Sequence, residues 1–222
     1  MKKILQINSV EGRGNSRIFK IVTKKQNFAV KLYPDKNLDH RSRQQIEFEA
    51  LNLLAKESFE NIPSIVFKDD ELNLSAFTWI EGTEPKIINK DHINEAIKFL
   101  KKLKKISLRN NFKNKKASEA CLSYNELARQ IYHKTDNLLN KNKNEKTLVK
   151  FLSERLSPIS REFIQKGKTI WPKESRTLNL KREKRILSPS DFGFHNSLVT
   201  KDKKLYFIDF DYFGWDDPVK LV

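Results

Sequence analysis

The segment from Leu187 to Pro218 constrains the fold more tightly than any other stretch of this chain. It reads Asp191-Phe192-Gly193-Phe194-His195-Asn196, then an apolar hairpin pattern over 197–200 and 204–208, then Asp209-Phe210-Asp211. Asp191 and Asn196 are five positions apart, and Asp209 follows Asp191 by 18. A hairpin of that length returns the chain beside its own start. The fold must therefore hold two carboxylates and an amide at one end of a short antiparallel pair.

The remainder of the chain supplies a scaffold of two kinds. The first third is strand-rich: Ile4–Val10, Arg17–Val22, Phe28–Tyr33, 64–67 and 72–80 carry β-branched and aromatic residues between turn residues. Glu81-Gly82 reads as a stop. Only 39–57 has helical period there, with Ile46, Ala50, Leu53 and Leu54 on one face. Beyond residue 83 the pattern turns helical. Asp91 reads as the cap of a helix to about Leu108, with Ile97, Leu100, Leu103 and Leu108 inward and the lysines outward. Two more amphipathic helices are expected at 119–140 and 145–166, with a loop over 167–186. The expected fold class is α+β in two lobes, residues 1–82 and 83–222.

Composition narrows the classes. The chain has 222 residues, 44 Lys and Arg against 28 Asp and Glu, and a formal charge of +16. Fifteen Phe and 38% hydrophobic residues exclude a disordered basic tail. The single cysteine, Cys121, excludes a disulfide framework or thiolate zinc site and reads as a core residue on a helix face. No apolar run has the length of a membrane span, and the first residues lack the pattern of a signal peptide, so a cytoplasmic setting is expected. The charge attracts anions, but it is lysine-rich and accompanied by Asn and Ile, as AT-rich codons dictate. The stretch 98–116 holds nine Lys and Arg and no acid. Its aromatics are only Phe99 and Phe112, so it reads as a solvated face rather than a nucleic-acid surface.

The carboxylates and amide have a specific chemistry. Phosphoryl transfer needs a carboxylate to orient the attacking hydroxyl, an amide oxygen to help hold Mg²⁺, and a second carboxylate to carry Mg²⁺ against the phosphates. Asp191, Asn196 and Asp209 stand in that order. Asp191-Phe192-Gly193 also spells the metal-binding motif of protein kinases. Residues 168–186 contain no Asp that could then serve as the base, so Asp191 itself takes that place. Upstream, Lys31 interrupts the apolar strand Phe28-Ala29-Val30-Lys31-Leu32-Tyr33. A lysine there sends its ammonium to an anion or to solvent. The helix at 39–57 offers Glu47 and Glu49 as partners.

With these residues the chain resembles the aminoglycoside phosphotransferase (phosphotransferase enzyme) family of the protein-kinase-like fold. It is similar to uncharacterised bacterial members with Ser188-Pro189-Ser190-Asp191-Phe192-Gly193-Phe194-His195-Asn196 and Phe213-Gly214-Trp215-Asp216-Asp217-Pro218 segments. Members often carry His where this chain has Pro189. The resemblance implies Asp191 as catalytic base, Asn196 and Asp209 as Mg²⁺ ligands, and Lys31 with Glu47 on the phosphates of ATP. It also implies a phosphate-covering loop at Gly12, Gly14, Asn15 and Ser16, and adenine contacts from the backbone of Thr78, Trp79 and Ile80. The implied reaction is ATP-dependent phosphorylation of a hydroxyl on a small molecule, a sugar or amino alcohol before an aminoglycoside. Asp211 is a candidate helper at the metal, Asp216 and Asp217 read as caps or braces, and His195 either touches substrate or shapes its loop. Family members continue past the segment Asp217–Val222 with further helices. The chain is therefore expected to be C-terminally short, with exposed apolar surface and a tendency to associate. The rival readings are a catalytically impaired nucleotide-binding relic and a basic nucleic-acid-binding module.

Overall fold

The computed structural model describes residues 3–10, 16–35, 37, 39–109, 112 and 115–221. The chain forms two compact units, one from 1–119 with 186–222 and one from 120–185.

The first unit begins with an antiparallel sheet of β1 (Ile4–Val10), β2 (Arg17–Thr23), β3 (Asn27–Leu32), β4 (Ile65–Asp69) and β5 (Leu74–Thr78), in the order β1-β2-β3-β5-β4. The β2–β3 hairpin closes on Thr23, whose hydroxyl donates to the Gln26 carbonyl at 2.6 Å. Its register sets Ile18 opposite Lys31 and Lys20 opposite Ala29. β5 is shorter than the sequence suggests. Asn73 takes a left-handed turn conformation with φ 50° and donates its side-chain amide to the Pro34 carbonyl at 2.8 Å.

Helix α1 (Arg43–Lys56) buries Glu47, Ala50, Leu51 and Leu54, one face at helical spacing. It starts four residues later than expected. Asp39 instead accepts from the Arg41 backbone N–H at 3.1 Å and from the Arg41 and Arg43 guanidiniums at 2.7 and 2.5 Å, which folds 39–42 into a turn. Helix α2 (Lys90–Ser107) is capped by Asn89, which accepts from the His92 N–H at 2.9 Å; Asp91 lies in its first turn. Its buried face is Phe99, Leu103 and Ile106, whereas Ile97 and Leu108 are exposed, a rotation from the expected face. Phe99 determines that rotation by packing against Phe59, Phe192 and Phe207, with centroids 4.9, 5.5 and 4.6 Å away.

Five short strands follow. β6 (Gly82–Thr83), β8 (Ser197–Thr200) and β9 (Leu205–Phe207) form one sheet; β7 (Ile186–Ser188) and β10 (Gly214–Asp216) form another. β6, β7 and β10 escape sequence reading because two or three residues display no period. The Leu187 N–H donates to the Ser107 hydroxyl at 2.8 Å, which fastens β7 to α2. The core of this unit includes Leu51, Leu54, Phe77, Leu103, Leu187, Phe207, Phe210, Phe213 and Trp215. Pro218–Leu221 is a 3-10 turn, with the Asp217 carboxylate accepting from the Val219 N–H at 3.0 Å. Asp216 is wholly buried and pairs with Lys220 at 3.1 Å.

The second unit holds α3 (Tyr124–Lys141), α4 (Lys146–Phe151) and α5 (Ser157–Ile170). Ser123 caps α3 by accepting from the Glu126 N–H at 3.2 Å. The single helix expected at 145–166 is interrupted by a wider π turn over Leu152–Leu156, just before Pro158, which has no N–H to donate. The Tyr124 hydroxyl donates to the Ile164 carbonyl and ties α3 to α5. Cys121 precedes α3 and is half-buried, so it is not on a helix face as expected. Phe151, Phe163, Ile170 and Leu178 of this unit are exposed. Among the described residues no helix is long and apolar enough to cross a membrane.

Candidate active site

Alternation along β3 carries Lys31 and Tyr33 to one face of the strand pair. Lys31 is 6% exposed, and its ammonium meets Glu47 at 2.8 Å, Asp209 at 2.6 Å and Asp211 at 3.3 Å. Glu47 is more than a counter-ion. One oxygen accepts from Lys31 and from the Tyr33 hydroxyl at 2.7 Å; the other accepts from the Phe210 N–H at 3.1 Å. Glu49, the alternative partner, turns to Gln45 and Lys115 instead. Arg43, one helical turn before Glu47, reaches Asp211 at 3.4 Å and Asp39 at 2.5 Å.

The charges sort in a definite way. Burial pulls the Lys31 ammonium down, but Glu47, Asp209 and Asp211 together hold it well above the ordinary lysine value. Burial pushes Asp209 up, and Lys31 overcomes it, so Asp209 stays below the usual carboxylate range. Burial pushes Asp211 up to about 6, with Asp209 and Glu47 adding to the shift against the pull of Lys31. Tyr33 is pushed far above the usual phenol value by burial and then by the Glu47 carboxylate. Oxygens of Glu47, Asp209 and Asp211 lie within 4.8 Å of one another, a set of hard donors suited to Mg²⁺.

The β8–β9 hairpin joins this cluster to Asp191. Ser197 pairs with Phe207, and the Ile208 N–H donates to the Asn196 carbonyl at 3.0 Å. The Asn196 amide nitrogen donates to the Asp191 carbonyl at 2.9 Å and to its carboxylate at 3.3 Å. That commitment turns the amide oxygen of Asn196 away from Asp191. Phe192 and Phe210, the residues after the two aspartates, are both anchored in aromatic packing, Phe192 against Phe207 at 4.9 Å and Phe210 against Phe99 at 6.3 Å. Two backbones here are left-handed without glycine, Ser190 at φ 71° and Asp209 at φ 67°. Such strain persists only where surrounding contacts enforce it. At Pro189 the loop is held through its backbone, with the Asp191 N–H donating to the Pro189 carbonyl at 2.9 Å.

A sequence profile of the phosphotransferase enzyme family matches residues 6–220. The chain belongs to that family. No curated protein sequence is significantly similar to it. Among solved structures, spectinomycin phosphotransferase APH(9)-Ia with ADP and spectinomycin superposes with a TM-score of 0.61 at 15% identity, over 99% of this chain and 67% of that one. The ternary complex of APH(2")-IIa with streptomycin and ATP gives 0.62 at 19% identity, over 98% and 69%. The choline kinase LicA from Streptococcus pneumoniae gives 0.55 at 16% identity, over 97% and 66%. The chain thus spans about two thirds of the length of these structures. The likeness establishes a two-lobed protein-kinase-like fold for this member of the phosphotransferase enzyme family.

The other expected site residues fall as follows. Gly12, Gly14 and Asn15 lie outside the described residues. Ser16 is half-buried just before β2, and its hydroxyl has no hydrogen-bond partner among the described residues. Thr78 exchanges bonds with Ser64, its N–H donating to the Ser64 carbonyl at 2.9 Å. The Trp79 N–H donates to the Asn27 carbonyl at 3.2 Å, and its ring carries Lys20 at 4.6 Å while its indole N–H donates to Glu81 at 2.8 Å. The Ile80 carbonyl accepts from Gly82 at 3.0 Å. Sequence reasoning missed Tyr33 and Arg43. Both were within reach of periodicity, since Tyr33 is two positions from Lys31 on a strand and Arg43 four from Glu47 on a helix.

Proposed function

We propose that this chain transfers the γ-phosphoryl group of ATP to a hydroxyl of a small molecule, with its lobes meeting at residues 82–83. The observation that carries the reading is the buried Lys31, held by Glu47 and Asp209 at the open end of the hairpin that also presents Asp191 and Asn196.

In this reading Lys31, fixed by Glu47, binds the α- and β-phosphate oxygens. The oxygen donors of Asp209 and Asn196 would hold Mg²⁺, which would supply positive charge against the phosphates. Asp211 supports Asp209. Ser16, whose hydroxyl has no partner among the described residues, would serve the phosphates with Gly12, Gly14 and Asn15, which precede it in the sequence. The adenine edge is left to the backbone of Thr78, Trp79 and Ile80; the Thr78 and Trp79 N–H groups are given to Ser64 and Asn27, so the Ile80 N–H is the donor offered. Asp191 accepts the hydroxyl proton as the new O–P bond forms in line with the breaking β–γ bridge. Aminoglycosides carry several positive charges and call for a strongly acidic cleft, so the +16 chain suits a neutral sugar, or an amino alcohol with a single charge, better.

The test is thermal stabilisation by Mg²⁺-ATP, then phosphate transfer across a panel of hydroxyl metabolites. Asp191→Asn should lower turnover by about 10²–10⁴-fold while nucleotide binding persists. Full turnover in that variant, or no stabilisation of the native chain by any Mg²⁺-nucleotide, refutes the reading.

A further inference from the structure

His195 is absorbed neither by the metal site nor by the phosphate contacts, yet its ring nitrogen Nε2 lies 3.1 Å from Asp191 Oδ1. Asp191 Oδ2 is taken by the next residue, Asn196, at 3.3 Å. The two carboxylate oxygens are thus held by separate donors on consecutive residues. Asp191 is 59% exposed at its side chain, and a carboxylate so open turns about its own axis unless both oxygens are fixed. An ionised carboxylate only accepts hydrogen bonds, so Nε2 carries the proton in this contact.

The ring has a prepared seat. A Cβ added to Gly193 would lie 2.6 Å from both Cε1 and Nδ1 of His195. The Gly193 backbone is extended, at φ −171° and ψ 169°, so any residue could adopt it. Glycine is required there only to leave room for the imidazole. The turn that carries His195 is closed by the Asn196 N–H donating to the Gly193 carbonyl at 3.1 Å and by the Ser197 hydroxyl donating to the Phe194 carbonyl at 2.7 Å. Phe194 also packs against His92 of α2, with centroids 6.4 Å apart.

We propose that His195 is a positioning residue: it fixes the Asp191 carboxylate so that its remaining lone pairs face the acceptor hydroxyl. This rests on the reading of Asp191 as the base. His195 and Gly193 then form one device, in which the missing side chain at 193 serves the ring at 195.

Two readouts test it. In ¹⁵N-histidine-labelled protein at one fixed pH, the His195 signal, identified by its loss in His195→Gln among the four histidines, should shift in Asp191→Asn and in Gly193→Ala. In Mg²⁺-ATP turnover with a responsive hydroxyl acceptor, His195→Ala should lower kcat on the order of 10- to 100-fold, with KM for ATP within about twofold. His195→Gln, which keeps a donor, should recover part of the loss. Gly193→Ala should copy His195→Ala and add nothing when combined with it. A His195 resonance indifferent to Asp191→Asn overturns the proposal, as does unchanged kcat in His195→Ala or an additive Gly193→Ala loss. If the native chain turns over no acceptor, the phosphotransfer reading falls, and the imidazole spectrum alone decides the contact.

Discussion

Lys31→Met tests how the site is held together. Methionine keeps the apolar stem and deletes an ammonium that touches Glu47, Asp209 and Asp211 at 2.8, 2.6 and 3.3 Å. The three carboxylates are then left with Arg43, which reaches only Asp211, at 3.4 Å. Removing one partner of a buried ion pair costs about 3–5 kcal/mol. At roughly 2–4 °C per kcal/mol for a chain of this size, Tm at pH 7 should fall by about 6–20 °C. The pH dependence carries more information than the fall itself. Without Lys31, burial and mutual repulsion push Asp209 up beside Asp211, which is already at about 6. A carboxyl raised in the folded state contributes stability that is present below its unfolded pKa and lost as pH rises through its folded one. The penalty should therefore be large at pH 7.5 and shrink towards pH 4.5. Scanning calorimetry of both proteins in metal-free buffer across that range measures it. Millimolar Mg²⁺ should then restore Tm in the variant more than in the native chain, the cation taking the place of the ammonium. A Tm difference that is constant with pH, or grows towards acid, refutes the reasoning.

Tyr33→Phe removes one donor from Glu47, which keeps Lys31 and the Phe210 N–H; it should cost about 1–2 kcal/mol, and an unchanged urea midpoint would count against the shared acceptor. Gly214→Ala places a Cβ 2.4 Å from the Ala117 nitrogen and 2.5 Å from the Lys116 carbonyl carbon, so two backbones must part. That variant should lose at least about 2 kcal/mol, measured by the same denaturation. Asp39 is held well below the usual carboxylate range, first by the Arg41 hydrogen bond and against the effect of its burial. Its contribution to stability is present above about pH 4 and lost as pH falls, so Asp39→Asn should lower Tm at pH 7 and flatten the acid limb. Melts from pH 7 to 3 with parallel slopes in both proteins would contradict that.

Much of this architecture was readable because it is local. The sheet follows from alternation between turn residues, and the β8–β9 hairpin from two short apolar runs. Glu47 and Glu49 are two positions apart on one helix and the family resemblance favours Glu47, which meets Lys31 at 2.8 Å. What stayed hidden depends on partners far away in the chain. The buried face of α2 is set by Phe59, Phe192 and Phe207, which no window around Phe99 contains. β7 and β10 are strands only because they find each other, Leu187 opposite Trp215. The start of α1 moved because Asp39 competes for the backbone and guanidinium donors that follow it.

The partners of Lys31 differ in how far the chain must travel to deliver them. Glu47 is 16 residues away and Asp209 is 178. Closing the longer loop costs more chain entropy than closing the shorter one, by an amount that grows only with the logarithm of loop length. During synthesis, the N-terminal strands emerge with Glu47 available and Asp209 and Asp211 still to come. Glu47 is then the first of the three carboxylates the chain supplies to Lys31. The carboxylate that takes Lys31, Tyr33 and the Phe210 N–H in the finished site is thus also the nearest counter-charge in sequence, while its strongest rival, Asp209, comes from the far end of the chain.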